Sequence, residues 1–505
     1  MFQTLLGLLL LAAPQPWYDI TAFGAKGGKQ ANNAAAIQRA IDACTRSGGG
    51  TVYVPPGDFL TGTIVLKDNV TLHLAPGATL WGSRQIGDYG PLHLIYAEGA
   101  SNIAIEGHGA INGNGDAYWD PGFKAKEKRP SPLIELVRCR NVRIKDIRVL
   151  NTPGWGIHPL ECDGVFIRGI TMISDMRGPN TDGIDPDSSR NVMISDCYIE
   201  TGDDAICLKT RDGNPPPPTE NVTVTNCVLI SDDSAIKLGT ASYGDFRRCV
   251  FSNCVITGTH YGIAMYIKDG ALVEGVQFSN IVIDTSVDFF NRRTGSSRQW
   301  VEYPIFLDLE QRTDESRLGR IRDVSFSDIR ILTEGRVLVG SLPGRPIENL
   351  TLRNITMRVT GPEAVDTQRK PRGVARIRPA ARDADYSPAP AAMIFANVRG
   401  LRLRDVRLTW DEAARAQERH AIYASRVEDL SISGFSGSPA GTKFAAIGLD
   451  GVRNAFIAGS ELSAGAPLLV GLHDTPESQV SLSGNPLRPG VRATAEGAAY
   501  VHLPR

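Results

Sequence analysis

A four-residue phrase recurs along the chain: an apolar residue, a polar residue, a small polar residue or glycine, and an apolar residue or cysteine. Successive copies are mostly 23 to 30 residues apart, and two longer steps of 48 and 51 residues indicate insertions. The copies end at Ile147, Ile170, Cys197, Cys227, Cys254, Ile281, Ile329, Ile355 and Val406. A period of this length with β-branched residues predicts an all-β solenoid, because each coil can bury its inner face only against its neighbours.

The segment from Asn32 to Cys44 has helical spacing instead, with four apolar residues on one face: Ala36, Ile37, Ala40 and Ile41. We expect this helix to cover the N-terminal end of the stack. The unbroken period predicts a single β-helix domain over residues 17–505, with long loops near residues 212–219 and 361–390.

The apolar run from Leu5 to Ala13 is too short to span a bilayer, which needs about 20 residues. The run is typical of a secretory signal, with Ala12 and Ala13 near the expected cleavage point. Residues 1–16 are therefore predicted to be a signal peptide, and the protein to be secreted or periplasmic. Because no Lys or Arg precedes the run, a buried first strand is the alternative.

Charge and cysteine content narrow the functional classes. The formal net charge is −1, which argues against nucleic-acid binding driven by a global positive field. Of eight cysteines, three end copies of the phrase: Cys197, Cys227 and Cys254. We interpret these three as buried small apolar residues first and as disulfide candidates second. No cysteine has C-x-x-C metal spacing.

A second strand in each coil is aligned by an isoleucine, and these residues are expected to form a buried stack: Ile157, Ile184, Ile206, Ile236 and Ile263. Two positions before the isoleucine, Asp182 and Asp204 become neighbours on successive coils, and Asp203 lies beside them. The position in between is always Gly or Ala. We interpret this small column as room for a sugar to approach the backbone.

Three carboxyl groups in one place raise at least one pKa, which puts a proton donor beside a charged base. Glycosidic cleavage uses such a pair, an acid for the leaving oxygen and a carboxylate that activates water or attacks. Turn formation by Asp-Gly and Asp-Asp, or calcium binding, would use the same residues. The register favours catalysis because it brings the carboxyl groups of Asp182, Asp203 and Asp204 together.

Lys209, Lys237 and Lys268 come from three successive coils, and the first two are expected on the outer face beside Asp185. A lysine ladder of this kind predicts the binding of substrate carboxylates. The alternative is a solvated surface with salt bridges.

Two segments, Asn180-Thr-Asp-Gly183 and Gly202-Asp-Asp204, resemble glycoside hydrolase family 28, the polygalacturonase and rhamnogalacturonase group. The resemblance runs from about Tyr18 to Ile283 and includes Phe23-Gly-Ala-Lys26, Gly50-Thr-Val-Tyr-Val-Pro-Pro56 and Trp155-Gly-Ile-His158-Pro159. It implies a right-handed parallel β-helix with a hydrolytic, inverting activity that uses no metal or cofactor.

The resemblance also implies roles for single residues. Asp203 would be the general acid, and Asp182 and Asp204 would position and deprotonate the water. Asn180 and His158 would line the sugar cleft. Inversion usually needs carboxyl groups about 6.5–9.5 Å apart, whereas adjacent coils are only about 4.8 Å apart.

Two motifs of the family are altered in this chain. The Gly-His-Gly motif falls near Asp232-Asp233-Ser234, which has no histidine, and Arg-Ile-Lys falls on Tyr266-Ile-Lys268. Tyr266 thus replaces an arginine, which would hold a carboxylate with two hydrogen bonds.

The expected partner is an acidic, uronic-acid-containing pectic polysaccharide or oligosaccharide, of the polygalacturonan or rhamnogalacturonan type. A calcium-dependent polysaccharide lyase and a non-catalytic carbohydrate-binding β-helix are the alternatives. Neither nucleic acid nor membrane is an expected partner, and the sequence leaves the oligomeric state open.

Overall fold

The computed structural model describes residues 17–285, 302–342, 344–362, 390–463, 466–487 and 491–496. The predicted signal peptide and residues 363–389 of the second predicted loop lie outside these ranges. The first predicted loop connects the strand that ends at Thr210 to the strand that begins at Thr219.

Twenty-six strands pair in parallel to form one sheet that bends around the solenoid, here called the wrap-around sheet. In the described part of the chain these strands are Trp17–Asp19, Gly50–Val54, Gly57–Thr61, Val70–Leu74, Ala78–Gly82, Ser101–Gly107, Ala110–Asn112, Arg140–Lys145, Arg148–Leu150, Asp163–Arg168, Thr171–Ile173, Arg190–Ser195, Tyr198–Thr201, Thr219–Thr225, Val228–Ser231, Phe246–Ser252, Val255–Thr257, Leu272–Thr285, Arg320–Thr333, Ile347–Val359, Val398–Trp410, Glu428–Ser433, Ser436–Gly437, Arg453–Ala458, Glu461–Leu462 and Val480–Ser483.

The remaining strands form a second parallel face, here called the site sheet. Four of them precede Ile184 and ten follow it, and bridges from Ile184 to Ile157 and to Ile206 join the two groups. These strands are Ile64–Val65, Ile95–Glu98, Ile134–Val137, Ile157–Leu160, Ile206–Thr210, Ser234–Ser242, Tyr261–Ile267, Tyr303–Leu309, Val337–Ser341, Ala391–Ala396, His420–Ser425, Ile447–Asp450, Leu468–His473 and Arg492–Glu496.

The predicted isoleucine stack is confirmed. Ile157, Ile184, Ile206, Ile236 and Ile263 pair in register on successive coils, and all five side chains are completely buried. The column continues upstream through Ile134, Ile95 and Ile64, and downstream to Ile305. Because every coil adds an apolar side chain to the same row, the coils share one continuous core. The predicted fold class, an all-β parallel β-helix, is confirmed.

The N-terminal end of the stack is covered by the helix Ala34–Arg46, whose buried residues include the predicted Ala36, Ile37, Ala40 and Ile41. A short helix, Glu412–Arg415, and four 3-10 turns complete the described helices: Ile20–Phe23, Ile86–Asp88, Gly115–Tyr118 and Glu477–Gln479. None of the helices described has the length and apolar character that crossing a membrane requires. All eight cysteines are buried with free thiols.

The corners of the coils are made by Asn and Asp residues in the left-handed backbone region. Asn226 has φ 56° and Asp196, one coil earlier, has φ 58°. The Nδ2 atom of Asn226 donates to Oδ1 of Asp196 over 3.2 Å, and Asn280 donates likewise to Asn253 over 2.8 Å. This explains the third position of the phrase, because Asn and Asp tolerate positive φ better than other non-glycine residues.

Asn226 offers a direct test of this corner. Replacing Asn226 by Gly removes the side-chain hydrogen bond but keeps the backbone conformation, whereas Ala loses both. We expect Asn226→Ala to lower the free energy of unfolding by about 1 kcal/mol more than Asn226→Gly. Denaturant titration measures the difference. Equal losses for the two variants would show that positive φ does not select the corner residue.

Candidate active site

The structure brings the three predicted aspartates together at the outer surface of the site sheet. The backbone N–H of Gly183 donates to the carbonyl oxygen of Asp204 over 2.8 Å, which fixes Asp182 directly beside Asp204 on the next coil. One carboxyl oxygen from each of Asp182, Asp203 and Asp204 lies within 4.8 Å of the others. The predicted register therefore produces a compact carboxyl cluster.

Asp203 is held by the turn that precedes the strand. Its carbonyl oxygen accepts hydrogen bonds from the hydroxyls of Thr201 and Ser231, each over 2.7 Å. Its carboxyl oxygen Oδ1 accepts from the backbone N–H of Asp204 over 3.0 Å, and Oδ2 accepts from Nδ2 of Asn180 over 3.3 Å. Local hydrogen bonds thus set the direction of the Asp203 side chain, as catalysis by a positioned group requires.

The small column has a different explanation from the one that the sequence suggested. A Cβ atom on Gly183 would lie 2.3 Å from the carbonyl oxygen of Ala205 and 2.9 Å from the core side chain of Ile199. A Cβ on Gly156 would lie 2.7 Å from the carbonyl oxygen of Gly183. Close packing between coils, and not the approach of a sugar, requires small residues at this column.

Two of the three predicted lysines face the carboxyl cluster. Lys237 Nζ lies 2.7 Å from Oδ2 of Asp204. Lys209 Nζ lies 3.1 Å from Oδ2 of Asp182 and 3.2 Å from Oδ1 of Asp185. Both ammonium groups therefore form ion pairs within the cluster. Their neighbouring carboxylates outweigh the effect of burial and raise the pKa of each lysine, so both stay protonated.

Lys268 is placed differently. Its side chain is only 2% exposed, and Nζ lies 2.7 Å from Oε2 of Glu310, which is 1% exposed. This buried ion pair lies in the interior, so the geometry does not support the predicted contact between Lys268 and substrate.

The lysines separate the pKa values of the aspartates. Burial acts to raise the pKa of Asp204, but Lys237 and Lys209 outweigh it, and the pKa lies below the usual value. Burial, together with the charges of Asp182, Asp204 and Asp233, raises the pKa of Asp203 well above its usual value. The site thus places a carboxyl group with a raised pKa beside one with a lowered pKa, which is the arrangement that an acid beside a base requires.

Asp182 does not behave as a second full anion. Burial and the charge of Asp185 raise the pKa of Asp182 to about 8, although Lys209 acts in the opposite direction. The expectation that Asp182 and Asp204 share the role of base is therefore better supported for Asp204. In the described part of the chain, Oδ1 of Asp182 and Oδ1 of Asp204 have no hydrogen-bond partner, so both are available as acceptors.

His158 is buried behind the cleft instead of lining it. Its Nδ1 lies 2.7 Å from Oε2 of Glu135, and its Nε2 lies 3.6 Å from Oδ2 of Asp187. Burial would lower the pKa of His158, but the two carboxylates raise it to about 9. The ring also packs edge-on against Trp155, with centroids 5.2 Å apart. His158 therefore contacts Trp155 and Asp187, which line the cleft, and is not itself part of the lining.

Sequence reasoning placed Asp185 on the outer face with Lys209 and Lys237, as the structure has it, but missed Asp187. Asp185 is completely buried beside Lys209, and burial is the main cause that raises its pKa to about 6. Asp187 pairs in register with Lys209. Asp187 stands three positions after Ile184, as Lys209 does after Ile206, so counting along the repeat would have placed Asp187 next to this lysine.

Arg129 was also missed, and no repeat signal could have found it. Its guanidinium donates to the carbonyl oxygens of Pro153 and Pro179 over 3.0 and 2.7 Å, and to Oδ1 of Asn180 over 3.1 Å. The amide oxygen of Asn180 therefore faces Arg129, and its NH₂ group faces Asp203. Arg129 lies in an irregular connection, so only the tertiary structure brings it here.

The cluster lies in an open cleft of about 830 Å³. Asn180, Lys209, Lys237 and Tyr266 line it together with the three aspartates. Further lining residues are Phe123, Trp155, Arg177, Asp232 and Asp233. Aromatic rings and charged groups along an open cleft are suited to a polar chain of sugars, because rings pack on apolar sugar faces while polar groups bind hydroxyls and carboxylates.

Three carboxyl groups within 4.8 Å are also the ligands that a divalent cation needs. However, the ammonium groups of Lys237 and Lys209 already contact Asp204 and Asp182 over 2.7 and 3.1 Å. A cation at this place would have to approach two buried positive charges, which is electrostatically unfavourable. The residues present fit a metal-free acid–base site better than a cation site.

The part of the chain that resembles known proteins contains the aspartate cluster. Residues 44–289 match the family described as Glycosyl hydrolases family 28. The chain is 34% identical over 216 residues to a protein from Vitis vinifera named "Probable polygalacturonase", and the match covers 38% of this chain and 44% of that protein. It is 26% identical over 355 residues to an "Endo-polygalacturonase" from Pectobacterium carotovorum, covering 64% of this chain and 83% of the relative.

A solved structure supports the fold. The exopolygalacturonase from Thermotoga maritima superposes with a TM-score of 0.59 at 24% identity, covering 69% of this chain and 88% of the other. Fold and site together define a parallel β-helix protein with an open cleft lined by carboxyl groups. The match of residues 44–289 to glycosyl hydrolase family 28 confirms the resemblance noted from the sequence.

Proposed function

We propose that this protein is a glycoside hydrolase that cleaves glycosidic bonds in a pectic, uronic-acid-containing polysaccharide or oligosaccharide. The observation that carries the proposal is the carboxyl cluster, in which one oxygen from each of the three aspartates lies within 4.8 Å of the others. Its surroundings raise the pKa of Asp203 and lower that of Asp204, which suits an acid beside a base. The chain covers less than half of the length of the Vitis vinifera relative. The names of that protein and of the Pectobacterium carotovorum relative support polygalacturonan as the substrate.

In the proposed mechanism, Asp203 gives its proton to the departing glycosidic oxygen. Asn180 and the backbone N–H of Asp204 hold the Asp203 carboxyl group in place. As the bond breaks, positive charge develops on the sugar ring, and the nearby anionic carboxylate of Asp204 stabilises it.

Asp204 acts as the base that removes a proton from the attacking water, and Asp182 accepts that water's second hydrogen. A water that donates two hydrogen bonds of normal length joins acceptors about 4.4 Å apart. The aspartate oxygens, which lie within 4.8 Å of one another, meet this requirement. The spacing between Asp182 and Asp204 therefore suits a water that these two carboxyl groups hold jointly.

Product analysis tests the proposal. Homogalacturonan, rhamnogalacturonan and oligogalacturonides are incubated with the purified protein, and products are followed by chromatography and by proton NMR. We expect saturated products whose first-formed anomer is inverted. Retained configuration would contradict the water mechanism. Unsaturated products that absorb ultraviolet light, and that no longer form when a chelator is added, would establish a lyase. Binding of the polysaccharide without any product would establish a carbohydrate-binding β-helix.

The preference of the enzyme for a charged substrate should depend on the residue at position 266. Tyr266 lines the cleft at the position where the family motif has arginine. A guanidinium there would add a charge-assisted grip on a carboxylate. We expect Tyr266→Arg to raise kcat/KM for free oligogalacturonides relative to their methyl esters by about 10-fold. The matched control, Tyr266→Phe, keeps the ring and should leave the ratio nearly unchanged. An unchanged ratio in Tyr266→Arg would show that position 266 does not contact this carboxylate.

Export is part of the proposal. A pectic polymer is too large to enter a cell intact, and the apolar run from Leu5 to Ala13 is typical of a secretory signal. Secretion or release to a periplasm would bring the enzyme to its substrate.

A further inference from the structure

The outward face of the wrap-around sheet has a group of exposed arginines on three adjoining coils. They lie on the strands Arg320–Thr333, Ile347–Val359 and Val398–Trp410. We call this group the arginine face, and its members are Arg330, Arg353, Arg402, Arg404 and Arg407. The catalytic cleft belongs to the site sheet, so the arginine face is a separate surface of the solenoid.

The register places like charges side by side. Arg353 pairs directly with Arg404 on the next coil, and adjacent strands are about 4.8 Å apart. Arg402 and Arg404 also point to the same side of one strand, since side chains two positions apart share a face. Like charges that are directly opposite in a sheet are destabilising. Repulsion between these arginines therefore raises the free energy of the folded protein, and a bound anion would reduce this repulsion.

Several other outward arginines of the same sheet are neutralised by neighbours. Arg190 contacts Asp163 over 3.0 Å, Arg320 contacts Glu348 over 3.2 Å, and Arg399 contacts Glu428 over 3.0 Å. These pairs neutralise part of the sheet, whereas Arg143 and Arg148 are exposed and have no ion pair among the described residues.

The arginine face combines a lack of ion pairs with arginines that lie side by side on adjoining coils. Among the residues that the structure describes, no ion pair is recorded for four of its members, and Arg353 reaches Asp328 at 3.5 Å. The four are Arg330, Arg402, Arg404 and Arg407. Three acidic residues, Asp323, Asp328 and Asp405, form corners of these coils, so the five arginines leave positive charge in excess.

Hydroxyl groups surround the arginines. Arg402 pairs in register with Thr351 and Ser431, and Arg407 pairs with Thr356 and Ser436. Guanidinium groups bind carboxylates with two parallel hydrogen bonds, and hydroxyl side chains are suited to sugar hydroxyls. The combination fits a ligand that has both groups in a repeating row.

We propose that the arginine face binds a second stretch of acidic polysaccharide through its uronate carboxylates, outside the catalytic cleft. The choice of this ligand rests on the proposed function, because the cleft and the face would then contact the same polymer. Two contacts on one chain raise the effective concentration of substrate at the cleft. The benefit applies to polymers and not to oligosaccharides that are too short to reach both surfaces.

Binding to de-esterified pectate is measured by affinity electrophoresis, with Asp203→Asn as background so that the polymer stays intact. The test variant changes Arg353, Arg402, Arg404 and Arg407 to Gln. The matched control removes the same charge from upstream coils of the same sheet, by changing Arg143, Arg148, Arg168 and Arg190 to Gln. All eight residues are exposed, so both variants should fold.

We expect the test variant to bind pectate about 10-fold more weakly at low salt, since several exposed charge contacts are lost together. The difference should vanish at high salt, and the control should bind almost normally. Equal losses in both variants, or no loss in either, would overturn the proposal. Duplex DNA retained as strongly as pectate would overturn the choice of polysaccharide.

The same substitutions in the active enzyme separate this proposal from the proposed function. Turnover of short oligogalacturonides should be unchanged in the test variant, whereas KM for the polymer should rise. If the natural sequence hydrolyses no pectic substrate but the test variant still loses pectate binding, the binding surface stands and the proposed hydrolysis fails.

Discussion

Asp203→Asn is expected to lower kcat by about 10²–10⁴-fold, because a positioned acid contributes that much. Asn keeps the shape of the side chain and still accepts a hydrogen bond, so substrate binding should largely survive. A substrate with a good leaving group needs less help from an acid. It should partly rescue Asp203→Asn and should not rescue Asp182→Asn. Near-normal turnover of the natural substrate by Asp203→Asn would exclude Asp203 as the acid.

The pH dependence gives a second readout for the same residue. Activity requires a charged Asp204 and a protonated Asp203, so the profile of kcat/KM should be bell-shaped. The acid limb reports Asp204, whose pKa is lowered, and the alkaline limb reports Asp203, whose pKa is raised. Asp203→Asn should remove the alkaline limb from its residual activity.

Stability should move in the opposite direction to activity. The raised pKa of Asp203 means that the folded protein binds more protons than the unfolded chain, so stability at this site falls as pH rises through the unfolded pKa. Asp203→Asn should therefore be more stable than the natural protein at neutral pH. The difference should shrink toward about pH 4, near the pKa of an unfolded aspartate. Thermal unfolding at several pH values measures it.

Lys237→Met is the second change with a large expected effect. It leaves Asp204 buried without the ammonium group 2.7 Å away. Breaking a buried ion pair from one side costs about 3–5 kcal/mol. The pKa of Asp204 should rise, so the base is protonated over much of the working pH range. We expect kcat to fall by about 10²-fold or more, with the acid limb shifted to higher pH.

The sign of the pH effect on stability follows from Asp204. Its pKa is lowered in the folded protein, so the ion pair stabilises above the unfolded pKa and the contribution is lost as pH falls. The loss caused by Lys237→Met should therefore be largest at neutral pH. The double variant Lys237→Met/Asp204→Asn removes both charges and should recover most of the stability but none of the activity. No recovery would mean that Lys237 stabilises through packing alone.

The sequence by itself determined the register of the coils. Its period of apolar residues fixes which residues point inwards, because a shift by one position would turn every side chain to the other face. Ile184 and Ile206 therefore stack as predicted, and Asp182 is brought to Asp204 by the same count. The capping helix could be predicted for a similar reason, since its apolar face is local.

Only the tertiary structure decided what the polar side chains contact. The repeat places three lysines on the same side of successive strands: Lys209, Lys237 and Lys268. In the structure the first two pair with the aspartate cluster, whereas Lys268 pairs with the buried Glu310. Long side chains reach partners on other coils, and the repeat pattern of the backbone does not determine which of these partners they contact.

His158 and Arg129 show the same limit. The repeat predicts that His158 lies on the outer side of its strand. Its burial between Glu135 and Asp187 could not be predicted, because these two residues belong to the neighbouring coils. Arg129 comes from a connection without a repeat and meets Asn180 only because the chain folds back. Short-range periodicity specifies backbone pairing, whereas the charges that tune the aspartates come from contacts between residues far apart in sequence.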